Sequence, residues 1–321
     1  MTQLKKGLST RNLMATAILA PMMIVAGCSD NNSSTLAPSQ SPSGVSEGVA
    51  YDGYLVGATV CVDENLNKAC DADEPSATTV AGGKFSLKGL TDSQLLTPLV
   101  LEANENTIDE DTGQPVDPNL KYLAPAGSTA VSGFSTVIQM KVESALAAGS
   151  TETLAKLKAD AAAELASELG VTVDLTTYDP IAAFDSTSGV DQKTAAELHL
   201  INKVLSAQIA DLVADVAVVM ESNSDLNKTA AFGALIESLN PANVAQVVQE
   251  FSAAGATATD LAGYNAETIT SSGSASYAAP IAPNAAAIEE QAAQDLLSQA
   301  ELQEAILTEQ LPTGATGATA G

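Results

Sequence analysis

Residues 54–74 read YLVGATVCVDENLNKACDADE. The first nine, Tyr54 to Val62, are β-branched and partly alternating, the pattern of a strand with one buried face. The chain then turns abruptly to Asp, Asn and Glu, which favour turns and leave nothing to pack. Downstream, Gly82-Gly83 reads as a turn into Lys84-Phe85-Ser86-Leu87-Lys88, with Phe85 and Leu87 on one face. Leu96 to Ala103 (LTPLVLEA) reads as a further strand. Short strands with turn chemistry between them predict a small β-sandwich over residues 49–126.

Upstream of this segment the composition is of a different kind. Lys5, Lys6 and Arg11 precede the apolar run Leu13 to Gly27, which ends at Cys28. That layout is a secretory signal, too short and too asymmetric for a stable membrane span. Val25-Ala26-Gly27-Cys28 resembles the bacterial lipobox, in which the cysteine sulfur receives diacylglycerol and becomes the new N-terminus. The resemblance implies that residues 1–27 are removed, that Cys28 is lipidated and that the chain is anchored in the cell envelope. Several acyl chains, each burying about 0.8 kcal/mol per CH₂, anchor far better than one. Ser29 after the cysteine favours the outer membrane by the enterobacterial rule. The periplasmic face of the inner membrane is the alternative. The remainder of 28–48 is Ser, Asn, Pro and Gly with almost no apolar content, and reads as a flexible tether.

The acidic stretch Asp63–Glu74 counts as a twelve-residue calcium loop. Asp63, Asn65 and Asn67 take positions one, three and five; the Ala69 carbonyl takes seven, Asp71 nine and Glu74 twelve. Oxygen donors throughout suit calcium and suit neither zinc nor copper. Lys68 stands at position six, where glycine normally makes the sharp turn. A non-glycine there costs about 1 kcal/mol or more, and an ammonium near the ion adds repulsion. The expected affinity is therefore weak, on the order of 10⁻⁴ to 10⁻³ M. The other reading is an acidic turn that binds no ion. With Cys28 lipidated, Cys61 and Cys70 form an even pair in an oxidising compartment and predict a disulfide; two separate thiols are the alternative.

Thr59-Val60-Cys61-Val62-Asp63, Cys70-Asp71-Ala72-Asp73-Glu74-Pro75, Thr78-Thr79 and Gly83-Lys84-Phe85 together resemble the SdrD B-like modules of bacterial surface adhesins. They resemble most the cysteine-bracketed version found in Gram-negative lipoproteins. The resemblance covers about a quarter of the chain. It implies a prealbumin-like or Ig-like sandwich stiffened by calcium at Asp63, Asn65, Asn67, Asp71 and Glu74, serving as a spacer or ligand presenter.

Residues 127–311 carry helical spacing instead, so the fold class expected is α+β: a β-sandwich followed by an all-α segment. Phe134, Val137, Ile138, Val142 and Leu146 mark one helix. Leu154, Leu157, Ala161, Leu165 and Leu169 mark a second that ends at Gly170. A long helix over 190–220 has the stripe Leu198, Ile201, Leu205, Ile209, Leu212, Val216 and Val219. Shorter helices are expected near 225–239 and 241–252, then a long loop over 253–283. A last helix from Asn284 to Gln310, with Ile288, Ala292, Leu296, Ala300 and Ile306-Leu307 inward, is the element best suited to dock elsewhere. Residues 312–321 read as a disordered tail.

Composition excludes several functions. The chain has 13 Lys+Arg against 39 Asp+Glu, a net charge of −26, so it is no nucleic-acid binder. Arg11 is its only arginine and lies in the signal, so the exported part lacks a guanidinium clamp for phosphate. No nucleophile elbow or Gly-rich phosphate loop occurs. His199, the only histidine, reads as a surface or boundary residue of the long helix, and Asp109-Glu110-Asp111 as a solvated face. The expectation is a non-enzymatic envelope lipoprotein of binding or adhesion type. The alternative is an accessory lipoprotein of an outer-membrane uptake system, its partners an outer-membrane protein or a hydrophobic ligand.

Overall fold

The computed structural model describes residues 43–309. The signal segment, Cys28, the first part of the tether and the 312–321 tail lie outside the described residues. In chain order the strands and helices begin with β1 (Gly44–Ala50), β2 (Leu55–Val56), β3 (Thr59–Val62), β4 (Ser76–Thr78), β5 (Lys84–Leu90) and the short α1 (Asp92–Leu95). There follow β6 (Leu99–Glu102), β7 (Ile108–Asp109), β8 (Gln114–Pro115), β9 (Lys121–Ala124) and β10 (Ala130–Val131). The helical part comprises α2 (Gly133–Ala147), α3 (Leu154–Leu169), α4 (Pro180–Ser186), α5 (Gly189–Ser222) and α6 (Lys228–Glu237). It closes with α7 (Pro241–Ala253), α8 (Ala258–Gly263), α9 (Ala266–Thr270) and α10 (Ala285–Glu309). The fold is mixed α+β.

Three small sheets form, with strand orders β10-β1-β5, β2-β7-β8 and β4-β3-β6-β9. In the last, Cys61 faces Val100, and Leu101 faces Tyr122. The strand read continuously over Tyr54–Val62 is broken at Gly57, whose φ of 88° belongs to glycine. Residues 44–48, expected in the tether, are instead strand: β1 runs antiparallel to β5 and parallel to β10. Backbone pairing, which needs no apolar side chain, recruits this polar stretch. Gly48 is required there, because a Cβ would stand 2.2 Å from the Thr129 carbonyl oxygen.

The segments on either side of residue 127 share one compact unit and one apolar core. The joint between them is chemical as well as apolar. Strand β9 is an edge, and the first turn of α2 covers it. Thr136 Oγ1 accepts from the Leu123 N–H at 2.9 Å and Ser135 Oγ donates to the Leu123 carbonyl at 2.6 Å. Side chains thus satisfy the edge groups that another strand would otherwise claim. The stripes of α2 and α3 are buried throughout, and that of α5 is buried except for the partly exposed Val219. Gly170 ends α3 at φ 72° and Pro241 opens α7.

Two expectations change. The long loop of 253–283 contains α8 and α9, capped by Thr257 and Asn265. More consequentially, α10 is turned from its expected face. Ile288, Gln291, Asp295, Ser298, Leu302 and Ile306 point inward, while Leu296 and Leu307 are 71% and 56% exposed. Its inward face pairs Asp295 with the Lys68 ammonium and adds Ile288, Leu302 and Ile306 to the core. No described helix is long and apolar enough to cross a membrane.

Candidate functional site

The acidic loop follows β3 directly and is closed by the Cys61–Cys70 disulfide. Asp63, at the strand end, is buried; its Oδ1 and Oδ2 accept the N–H groups of Asn67 and Lys68, both at 2.9 Å. Glu74 closes the far end, taking the N–H groups of Glu64 at 2.8 Å and Asp71 at 3.0 Å. Asn65 Oδ1 and Asn67 Oδ1 accept the N–H groups two residues on, of Asn67 and Ala69. Their amide groups both donate to Asp71 Oδ2, at 2.6 and 2.7 Å. Asp63, Asn65, Asn67, Asp71 and Glu74 are therefore brought into one hydrogen-bonded loop.

Lys68 adopts the left-handed conformation expected of a glycine there, with φ 59°, and so does Leu66, at 58°. The sequence put the Lys68 ammonium near the bound ion; instead it turns away from the loop oxygens. It is buried against Glu143 Oε2 of α2 at 2.9 Å and Asp295 Oδ1 of α10 at 3.0 Å. Burial opposes that charge, but the two carboxylates outweigh it and hold the Lys68 pKa above the usual lysine value. Burial raises the Asp63 carboxyl to about 6; its two backbone donors pull it down, and Glu74 and Glu143 push it further up.

As a cation site the loop has the right donors in kind: carboxylate, amide and carbonyl oxygens and no nitrogen or sulfur ligand. A cation would relieve the repulsion between Asp63 and Glu74. It would also require the Asn65 and Asn67 amides to turn from Asp71. Among the described residues no group of three or more His, Cys, Asp or Glu side chains is placed to hold a metal, so any ion here must draw on Asn and backbone oxygens.

A second constellation was not read from the sequence. His199, Asn202, Lys203 and Ser206 recur three and four apart on α5 and face the turn between β1 and β2. His199 is 6% exposed, buried where a surface position was expected. Its Nε2 stands 2.8 Å from the Asp52 carbonyl oxygen and 3.3 Å from Asp111 Oδ2. Lys203 pairs with the same Asp111 oxygen at 2.8 Å, and Asn202 donates to the Tyr51 carbonyl at 3.2 Å. Ser206 and the Tyr122 hydroxyl are 2.5 Å apart. Asp109 is buried as well, so the run 109–111 is not a simple solvated face. Gly53 is needed beside it: a Cβ would stand 1.9 Å from Asp109 Oδ1.

Burial pushes Asp52 up to about 7, with Asp109 adding repulsion and Ser206 and Lys203 pulling back. Its Oδ1 is buried with no hydrogen-bond partner, although the residue as a whole is partly exposed. Burial lowers His199 to about 4, helped by Lys203 and opposed by Asp111. The ring is therefore neutral at pH 7 and donates from Nε2 to the Asp52 carbonyl. These are perturbed groups of the kind that catalysis uses. Through these contacts the cluster joins α5 to the β1–β2 turn and to β9. The polar residues recurring along α5 were its one sequence signal.

An open groove of about 800 Å³ lies between the β6–β9 edge and the ends of α5 and α6. Val213, Met220, Leu226 and Phe232 supply apolar lining, and Lys121 and Lys228 add charge. Lys121 is itself committed, to Glu102 at 2.9 Å and to the Lys68 carbonyl at 2.6 Å. No protein-family model, curated protein or solved structure matches the chain.

Proposed function

We propose that this chain is a non-enzymatic lipoprotein of the bacterial envelope, held to the membrane through Cys28, whose disulfide-closed acidic loop is a calcium-stiffened element of a binding module. The observation that carries the reading is the pairing of Cys61 with Cys70 around the loop, which suits an oxidising compartment and agrees with the lipobox-like end of the signal. The outer membrane is the favoured location. Asp63, Asn65, Asn67, Asp71 and Glu74 would hold the ion with the Ala69 carbonyl, and the ion would tie the two ends of the loop together. Incorporation of labelled fatty acid, abolished by Cys28→Ser, is the test of anchoring; a Cys28→Ser protein that still fractionates with membrane refutes it. For the loop, millimolar calcium should raise the melting temperature of the soluble form, and an unchanged midpoint with calcium and with chelator removes the metal.

The groove favours a second reading, an accessory lipoprotein that receives a hydrophobic substrate for an outer-membrane system. Its volume falls within the range of small-molecule sites, about 300–1,000 Å³. Lipid recovered from the purified protein, and lost in Phe232→Glu, supports this reading. A groove that takes up no fluorescent fatty acid at micromolar concentration counts against it.

A further inference from the structure

The inward face of α10 carries Gln291, Asp295 and Ser298 beside only three large apolar residues, while Leu296, Leu297 and Leu307 face out. A helix so oriented gains little from apolar burial. Besides seating Ile288, Leu302 and Ile306 in the shared core, it is tied to the acidic loop at the loop's two left-handed residues. Gln299 Nε2 donates to the Leu66 carbonyl at 2.8 Å, and the Lys68 ammonium meets Asp295 at 3.0 Å. Gln291 completes the joint by donating to Asp295 Oδ1 at 2.9 Å. Asp295 Oδ2 is buried with no hydrogen-bond partner. Non-glycine residues keep a left-handed backbone only where surrounding contacts over-determine it. Here α10 supplies two of those contacts, beside Thr229 of α6 on the Asn67 carbonyl and Lys121 on the Lys68 carbonyl, and among the described residues Lys68 is the only lysine that α10 pairs with.

From this juxtaposition we infer that α10 is a latch, and that its undocking and the relaxation of Leu66 and Lys68 form one coupled transition. Coupling is reciprocal, so whatever reshapes the loop loosens the helix and whatever displaces the helix loosens the loop. Lys68 is the positioning residue. The inference holds whether or not a cation enters the loop, and so stands apart from the calcium reading.

Hydrogen exchange of the full chain tests it. Lys68→Met keeps the β-carbon, and with it the backbone strain, but removes the ammonium and orphans two buried carboxylates. Amides of 285–309 should then exchange at least about tenfold faster, since breaking one side of a buried pair is strongly destabilising, while those of 195–209 in α5 stay protected. Lys68→Met combined with Asp295→Met should restore part of the protection. In the reverse direction, Gln299→Ala should speed exchange at Asn67 and Lys68. Unchanged exchange in 285–309 for Lys68→Met overturns the latch. So does an equal rise in α5, which would mean global unfolding, or a double variant no better protected than the single.

Discussion

Asp52→Asn is expected to stabilise the protein at alkaline pH and to leave it nearly unchanged at acid pH. The folded carboxyl titrates near 7 against an ordinary value of 3.8, chiefly because it is buried. Between those values the folded state holds a proton that the unfolded chain has released. Stability therefore falls as pH rises through this window, and above about pH 7 the whole cost of burying the charge is present. Three pH units at 1.36 kcal/mol each set that cost at about 4 kcal/mol at most. Asn is close in shape to the protonated acid and carries no charge, so the variant escapes the cost. Urea denaturation of both proteins at pH 4, 6 and 8 measures the difference directly. Asp63 and His199 also titrate in this range, but they are present in both proteins and cancel. A difference that stays flat from pH 4 to pH 8, or a wild type that is the more stable at pH 8, refutes the argument.

The opposite slope belongs to His199. Its folded pKa, lowered to about 4 from 6.5, makes stability rise with pH across that interval, because the unfolded state binds the extra proton. His199→Gln retains a donor for the Asp52 carbonyl and should gain stability relative to wild type below pH 5, read by thermal melting at pH 4.5 and 7.5. Replacing both Cys61 and Cys70 by Ser releases a loop of ten residues and should cost about 2–3 kcal/mol in the chain-entropy account; an unchanged denaturation midpoint would show that the bridge contributes nothing. Phe134→Ala, at a fully buried position where α2 enters the shared core, should cost about 3–5 kcal/mol and lower the melting of sheet and helix signals together. Separate transitions for the two would contradict one cooperative unit.

Much of the local architecture follows from residues close together in the chain. Period and punctuation determined α2, α3, α5 and α7: their apolar residues recur at helical spacing, and Gly170 and Pro241 are where the stops and starts belong. The same holds for the acidic loop, since Cys61 and Cys70 bracket a run of turn-forming acids that has no other local use. Tertiary structure decided what these elements face. Strand β1 was illegible because its polar residues are held by backbone pairing with β5 and β10, which leaves no trace in side-chain pattern. Helix α10 carries two candidate faces, and a periodicity argument selects the one with more leucine. The folded chain uses the other, on which Asp295 meets Lys68, 227 positions earlier in the chain, and Ile288, Leu302 and Ile306 enter the core. His199 is drawn inward in the same way, by the Asp52 carbonyl that only the folded chain brings within reach.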